Sequence, residues 1–206
     1  MDSRIKFYFS RLKKYQNKLI YVLFFEIFYT IKFRDFYYKI HNDNTITDAL
    51  PCPYYFLYEI SKFIKKSPIS NIIDLGSGNG RVVNFLAQIT NKNVVGYEID
   101  QELIDYSISK KNNNNANFFR KDFKDLDFNK VDADCYIFNS PLKKKSDIKN
   151  FIYKASLVKK KYFLIVINID GHLDTNTINS FFENFKLTKL IKAGETKTLR
   201  IYENNC

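Results

Sequence analysis

Apolar and polar positions change period several times along this chain, and each change marks an element. Leu19 to Ile31 is the most apolar stretch, thirteen residues with a single charge, Glu26, in the middle and Lys18 and Lys32 at the flanks. Tyr54, Phe56, Leu57, Ile60, Phe63 and Ile64 recur at helical spacing. Pro51-Cys52-Pro53 gives this helix an extended entry, and Ser67-Pro68 stops it. The short apolar run Ile72, Ile73, Leu75 then ends in three glycines at alternate positions, Gly76, Gly78 and Gly80. A new pattern starts behind them at Val82 and Val83 and continues to Phe85, Leu86 and Ile89. That order predicts a buried strand, a tight turn and a helix.

Further strands are expected at Val94–Asp100, Phe118–Phe123, Cys135–Phe138 and Tyr162–Ile169. The last is apolar throughout, as a strand buried on both faces should be. A modest helix on Leu103, Ile104 and Ile108 ends in Lys110-Lys111 and a loop of four asparagines. A second helix is carried by Ile148, Phe151, Ile152 and Ala155. Phe185–Ile191 and Thr196–Tyr202 alternate around Ala193-Gly194-Glu195, which predicts an antiparallel hairpin. The whole is an α/β chain with a Rossmann-like doubly wound sheet of seven strands closing on that hairpin. With 206 residues, we expect a helical N-terminal extension over 1–49 and one domain over 50–206.

The glycine turn is where the chemistry concentrates. Glycines let a backbone turn sharply and let a ligand approach without meeting a Cβ, and a helix start offers N–H groups and partial positive charge to an anion. A dinucleotide fingerprint needs a third glycine where Arg81 stands. The pattern Asp74-Leu75-Gly76-Ser77-Gly78-Asn79-Gly80 instead resembles motif I of the class I S-adenosylmethionine-dependent methyltransferases. Glu98, 22 residues after Gly76 at the end of Val94-Val95-Gly96-Tyr97-Glu98, stands at the reach of a ribose-binding carboxylate. Asp122-Phe123 resembles the family's third motif, and Asn139-Ser140-Pro141-Leu142 the start of its catalytic loop. The resemblance covers about residues 50–205. It implies S-adenosylmethionine as cofactor, with Gly76, Ser77, Gly78 and Gly80 under its methionine part and Asp74 supporting the ammonium. It also implies Glu98 on the ribose diol, Asp122 and Phe123 beside adenine, and Asn139 and Pro141 as catalytic residues. In many small members, the helix after a Pro-x-Pro turn covers the cofactor.

Amino-directed methyltransferases of adenine carry Asn or Asp, two prolines and an aromatic residue in that loop, the aromatic stacking on a flipped base. Here Ser140 replaces the first proline and Leu142 the aromatic, so the stacking platform is missing. Relatives sharing Asp-Leu-Gly-Ser-Gly and Gly-x-Glu include methyltransferases of protein lysines. The expected reaction is therefore N-methylation, of a protein lysine ahead of another amine, with Asn139 orienting the acceptor. Two other readings stay open: an adenine-N6-type nucleic-acid methyltransferase, and a silent nucleoside-binding or membrane-associated protein.

Charge and cysteines add less. The net charge of +11 accompanies abundant Lys, Asn, Ile, Phe and Tyr, as an AT-rich coding sequence imposes, and so points only weakly to nucleic acid. The local exception is Lys143 to Lys161, eight lysines against one acid, Asp147. Its first three lysines are expected to border the active-site mouth, leaving nucleic-acid contact open against the reading of a solvated helix face. Cys52, Cys135 and Cys206 read as reduced thiols of a cytoplasmic protein, and with His41 and His172 they show no metal spacing. The Leu19–Ile31 stretch is too short to span a membrane and lacks a cleavage site after it. It is either a helix packed on the domain or, with Arg4, Lys6, Arg11, Lys13, Lys14 and Lys18 interleaved with aromatics, part of a peripheral membrane contact through residues 1–31.

Overall fold

The computed structural model describes residues 13–35, 39 and 51–205. His41 and Cys206 lie outside them. A 3₁₀ turn, Lys13–Lys18, leads into α1 (Leu19–Phe33), followed by α2 (Tyr54–Lys65), β1 (Asn71–Leu75), α3 (Arg81–Thr90), β2 (Asn93–Glu98) and α4 (Gln101–Ser109). Then come β3 (Ala116–Arg120), β4 (Cys135–Phe138), α5 (Lys145–Ser156), β5 (Phe163–Ile167), α6 (Thr175–Phe181), β6 (Phe185–Lys192) and β7 (Thr198–Asn204). The seven strands form one sheet in the order β3-β2-β1-β4-β5-β7-β6. Strands β1 to β5 run parallel, and β7 lies antiparallel to both β5 and β6.

This is the doubly wound sheet with a terminal hairpin that the patterning predicts. Chain order reverses beside β1, with β2 on one side and β4 on the other, so a crevice opens at the carboxyl ends of these strands. Two apolar cores follow from the sheet's two faces. Ile72, Val94, Cys135, Ile137 and Ile165 pack with α2 and α3 on one face. Ile73, Leu75, Tyr136, Phe138, Leu164 and Val166 pack with α5 and α6 on the other. Edge strand β6 exposes Lys186 and Lys192 and carries an irregularity between Leu187 and Lys189, devices that discourage edge-to-edge pairing.

The structure revises the sequence reading at two strand ends and at one helix position. Strand β3 stops at Arg120, because Asp122 accepts the backbone N–H of Lys124 (2.9 Å) and starts a 3₁₀ turn at Phe123. Strand β5 stops at Ile167, because Asn168 takes a left-handed conformation (φ 59°) and turns the chain into a short 3₁₀ helix. Ile108, taken as part of the buried stripe of α4, faces solvent while Leu103 and Ile104 are buried.

Helix α1 packs on the domain through charge as well as apolar contact. Glu26 and Asp35, both buried, meet the equally buried Arg81 at the start of α3. Arg81 Nη1 donates to Glu26 at 2.9 Å and Nε donates to Asp35. Its guanidinium lies 4.4 Å from the ring centroid of Tyr54. Tyr54 donates its hydroxyl to Asp35 and its backbone N–H to Glu26, and Asn79 donates to Asp35 at 2.9 Å. Removing one partner of a buried ion cluster strands the others, at a cost of about 3–5 kcal/mol. Arg81→Met should therefore lower the unfolding free energy in urea by about that much, and adding Glu26→Gln and Asp35→Asn should recover part of it. A loss below about 1 kcal/mol would show that water reaches the two carboxylates.

Candidate active site

The sequence-predicted site residues arrive from four strands at one edge of the sheet. The glycine turn follows β1, Glu98 ends β2, Asp122 and Phe123 follow β3, and Asn139 to Pro141 follow β4. Gly76, Gly78 and Gly80 all have positive φ (76°, 54° and 75°). Close approach adds to the requirement at two of them. A Cβ on Gly76 would stand 2.8 Å from Pro141 Cβ, and one on Gly80 would stand 2.6 Å from Ser107 Cβ and 2.8 Å from the Phe118 ring. The loop after β4 is thus seated directly on the loop after β1.

Hydrogen bonds fix the turn to its neighbour. Gly76 and Ser77 both donate to the Tyr97 carbonyl at 2.9 Å, and Gly78 donates to Glu98 Oε2 at 2.8 Å. Glu98 Oε1 accepts from Ile99 (2.7 Å) and Asp100 (3.0 Å). A carboxylate offers about four acceptor positions, so three backbone donors leave room for about one ribose hydroxyl, and a second needs the Gly78 bond to yield.

Asp74 is the opposite case. It is 1% exposed, and neither carboxylate oxygen has a partner; the Ser77 hydroxyl is also buried and unpartnered. Burial, and after it the negative charge of Glu98, push the Asp74 carboxyl well above the usual carboxylate range. An orphaned buried acid beside a glycine turn fits a ligand that brings a cation. The methionine ammonium of S-adenosylmethionine is such a group, and the residues present therefore fit this cofactor.

On the acceptor side, Asn139 and Pro141 are partly buried. Ser140, strained at φ 47°, donates its hydroxyl to the Ile167 carbonyl at 2.7 Å. That bond ties the loop to the end of β5. Leu142 is buried in the core and offers no surface for stacking. Phe123 is buried with its ring 3.7 Å from the Gly76 Cβ position, whereas the Asp122 carboxylate is used on its own turn.

The lysine block does not form one patch. Lys143 and Lys144 follow the site loop and are exposed. The stretch ends at Lys159–Lys161, just ahead of β5 at the amino edge of the sheet, where Lys160 pairs with Asp132 and Lys161 with Glu203. Lys143 and Lys144 follow directly on the loop after β4, whereas Lys159–Lys161 come after α5 and just ahead of β5, at the other end of the strands. Cys52 and Cys135 are buried, and burial pushes both thiols up. Among the described residues, no group of three His, Cys, Asp or Glu is placed to hold a metal ion.

Sequence reasoning missed the support beneath the turn. Asn79 and Arg81 join it to Glu26 and Asp35, and Tyr54 closes the cluster. A signal existed, since Arg81 occupies the place of a third glycine and Glu26 interrupts an otherwise apolar helix.

Comparison with known proteins points to a methyltransferase fold. Residues 72–161 match the family model of a methyltransferase domain. Ribosomal RNA small subunit methyltransferase A of Mycoplasma mobile is 30% identical over 150 residues, 66% of this chain and 58% of that protein. The chain thus spans little over half the length of this curated relative. The N-methyltransferase NodS from Bradyrhizobium japonicum, in complex with S-adenosyl-L-homocysteine, superposes with a TM-score of 0.59 at 13% identity, covering 74% of this chain and 85% of that one. Magnesium protoporphyrin IX methyltransferase from Synechocystis, with bound S-adenosylmethionine, gives 0.56 at 16% identity over 72% and 77%.

The raised pKa of Asp74 has a defined sign. The native state holds this proton more tightly than the unfolded chain, so the Asp74 contribution favours folding at low pH and weakens as pH rises through the raised pKa. Asp74→Asn should therefore raise the melting temperature of the ligand-free chain relative to wild type at pH 8, with a smaller difference at pH 5. It should also weaken S-adenosylhomocysteine at least tenfold. Wild-type binding should release protons, read as a dependence of calorimetric enthalpy on buffer. An Asn variant less stable at both pH values would refute the assignment.

Proposed function

We propose that this chain, whose residues 72–161 match the family model of a methyltransferase domain, is a class I S-adenosylmethionine-dependent methyltransferase that methylates a nitrogen, with a protein lysine as the first candidate acceptor. The observation that carries the reading is the pairing of opposites at one turn. Asp74 is buried without a partner, and Glu98 is held by three backbone N–H groups. Asp74 would take the ammonium, Glu98 a ribose hydroxyl, and Phe123 the side of adenine, with Gly76, Ser77, Gly78 and Gly80 passing beneath.

Bound there, S-adenosylmethionine supplies a methyl already activated on its sulfonium. The protein's part is then to place a lone pair in line with that methyl and to keep water out. Proximity and orientation contribute on the order of 7–11 kcal/mol in favourable cases. Asn139 is the polar side chain of the loop that Pro141 seats on Gly76, and its amide oxygen would accept an N–H of the acceptor amine, aiming the lone pair. Ser140 holds the loop in place through Ile167.

The alternative acceptor is an adenine amine in nucleic acid, and the similarity to a ribosomal RNA methyltransferase supports RNA as that nucleic acid. Against it, buried Leu142 offers no stacking platform. In calorimetry, S-adenosylhomocysteine should bind, and Glu98→Ala should weaken it tenfold or more, about 1.4 kcal/mol. Labelled methyl should then enter a protease-sensitive product that hydrolyses to methyl-lysine. Label in a nuclease-sensitive product would select the RNA reading instead. Asn139→Ala should lower kcat by about a hundredfold while leaving S-adenosylhomocysteine affinity within about twofold. Absence of nucleoside binding would overturn the methyltransferase reading.

A further inference from the structure

Helix α1 has two faces of different character. One face is tied to the domain through Val22 and Glu26, and through Tyr29 and Phe33 against the Phe85 ring. The other carries Ile20, Phe24, Ile27, Phe28 and Ile31, spaced at i, i+4, i+7, i+8 and i+11. Their exposure is 81%, 64%, 60%, 51% and 64%. Exposed Tyr21 borders them. Five large apolar side chains in one stripe exceed the scattered exposure of a typical soluble surface.

What frames the stripe decides what covers it. Lys14 and Lys18 stand at its amino end, and Lys32 and exposed Arg34 at its carboxyl end. The helix's single acid, Glu26, is buried on Arg81 and contributes no negative charge to this face. Residues 1–35 contain eight Lys and Arg against three acids, and two of those acids, Glu26 and Asp35, are consumed in the buried cluster. A second copy paired antiparallel would set Lys18 against Lys32 with no acid between them. No described helix is long and apolar enough to cross a membrane.

We propose that the exposed face of α1 docks the protein on an anionic lipid surface. The helix lies in the interface plane, Phe24, Ile27, Phe28 and Ile31 enter the acyl boundary, and the terminal lysines meet lipid headgroups. Because the opposite face is clamped by Glu26 on Arg81, the helix presents this stripe as part of a fixed body, and docking needs no refolding.

The test uses the full chain in sedimentation with vesicles of phosphatidylcholine alone, and of phosphatidylcholine with about one-third phosphatidylserine. Wild type should partition onto the anionic vesicles at least tenfold better, and added salt should weaken it. Phe24→Ser/Phe28→Ser/Ile31→Ser should lose binding to the anionic vesicles. Lys18→Glu/Lys32→Glu should lose the preference for them. Both variants should keep the wild-type circular dichroism and affinity for S-adenosylhomocysteine, since none of the substituted side chains is buried. Equal binding to both vesicle types, or unchanged binding by the serine variant, would overturn the proposal. A wild-type dimer in sedimentation velocity that the serine variant dissolves would also overturn it, assigning the face to a second copy.

Discussion

The absence of a side chain at Gly76 is the constraint on which the site depends. A Cβ there would stand 2.8 Å from Pro141, so the loops after β1 and β4 could not be seated together. Doubly wound sheets place their crevice where chain order reverses, and here that crevice lies between these two loops. The loops after β1 and β4 are consequently one packed unit. Its position is fixed from below by parallel pairing of β1 with β2 and β4, and from the side by N–H groups donated to the Tyr97 carbonyl.

The two carboxylates at that unit divide their work through environment. Glu98 collects three backbone donors and is held in one orientation before any ligand arrives. Asp74 collects none and is buried, a combination that costs stability in the ligand-free chain. Strain of this kind is expected at functional sites rather than elsewhere. In the proposed reading, Asp74 would meet a cation at one end of the ligand and Glu98 a hydroxyl farther along it, from the ends of two neighbouring strands.

Most of the architecture was legible because parallel strands buried on both faces write themselves as apolar runs. Cys135–Phe138 and Phe163–Ile167 do so throughout, and Ile72–Leu75 does so at every position but Asp74. The glycine turn was legible because nothing but glycine tolerates its backbone and its neighbours together. What escaped depends on partners distant in the chain. The shortened end of β5 is set by one left-handed residue, Asn168, and nothing in an apolar run announces it. The lysine block looked continuous because sequence has no height, whereas α5 carries its two ends to opposite edges of the sheet. The pairing of Glu26 with Arg81 spans 55 positions, beyond any local pattern.

That pairing also explains how one helix can be apolar almost all round without being core. A helix held by apolar contact alone would bury its most apolar side, yet α1 buries its only acid and exposes Ile20, Phe24 and Ile31. The buried cluster sets the rotation, because Glu26 can meet Arg81 in one orientation and an unpaired carboxylate in the interior is costly. Apolar burial is non-directional and would accept several rotations; the ion cluster accepts one. The identity of the exposed face therefore follows from the position of a single glutamate, and moving that charge by one residue would turn a different stripe of the helix outward.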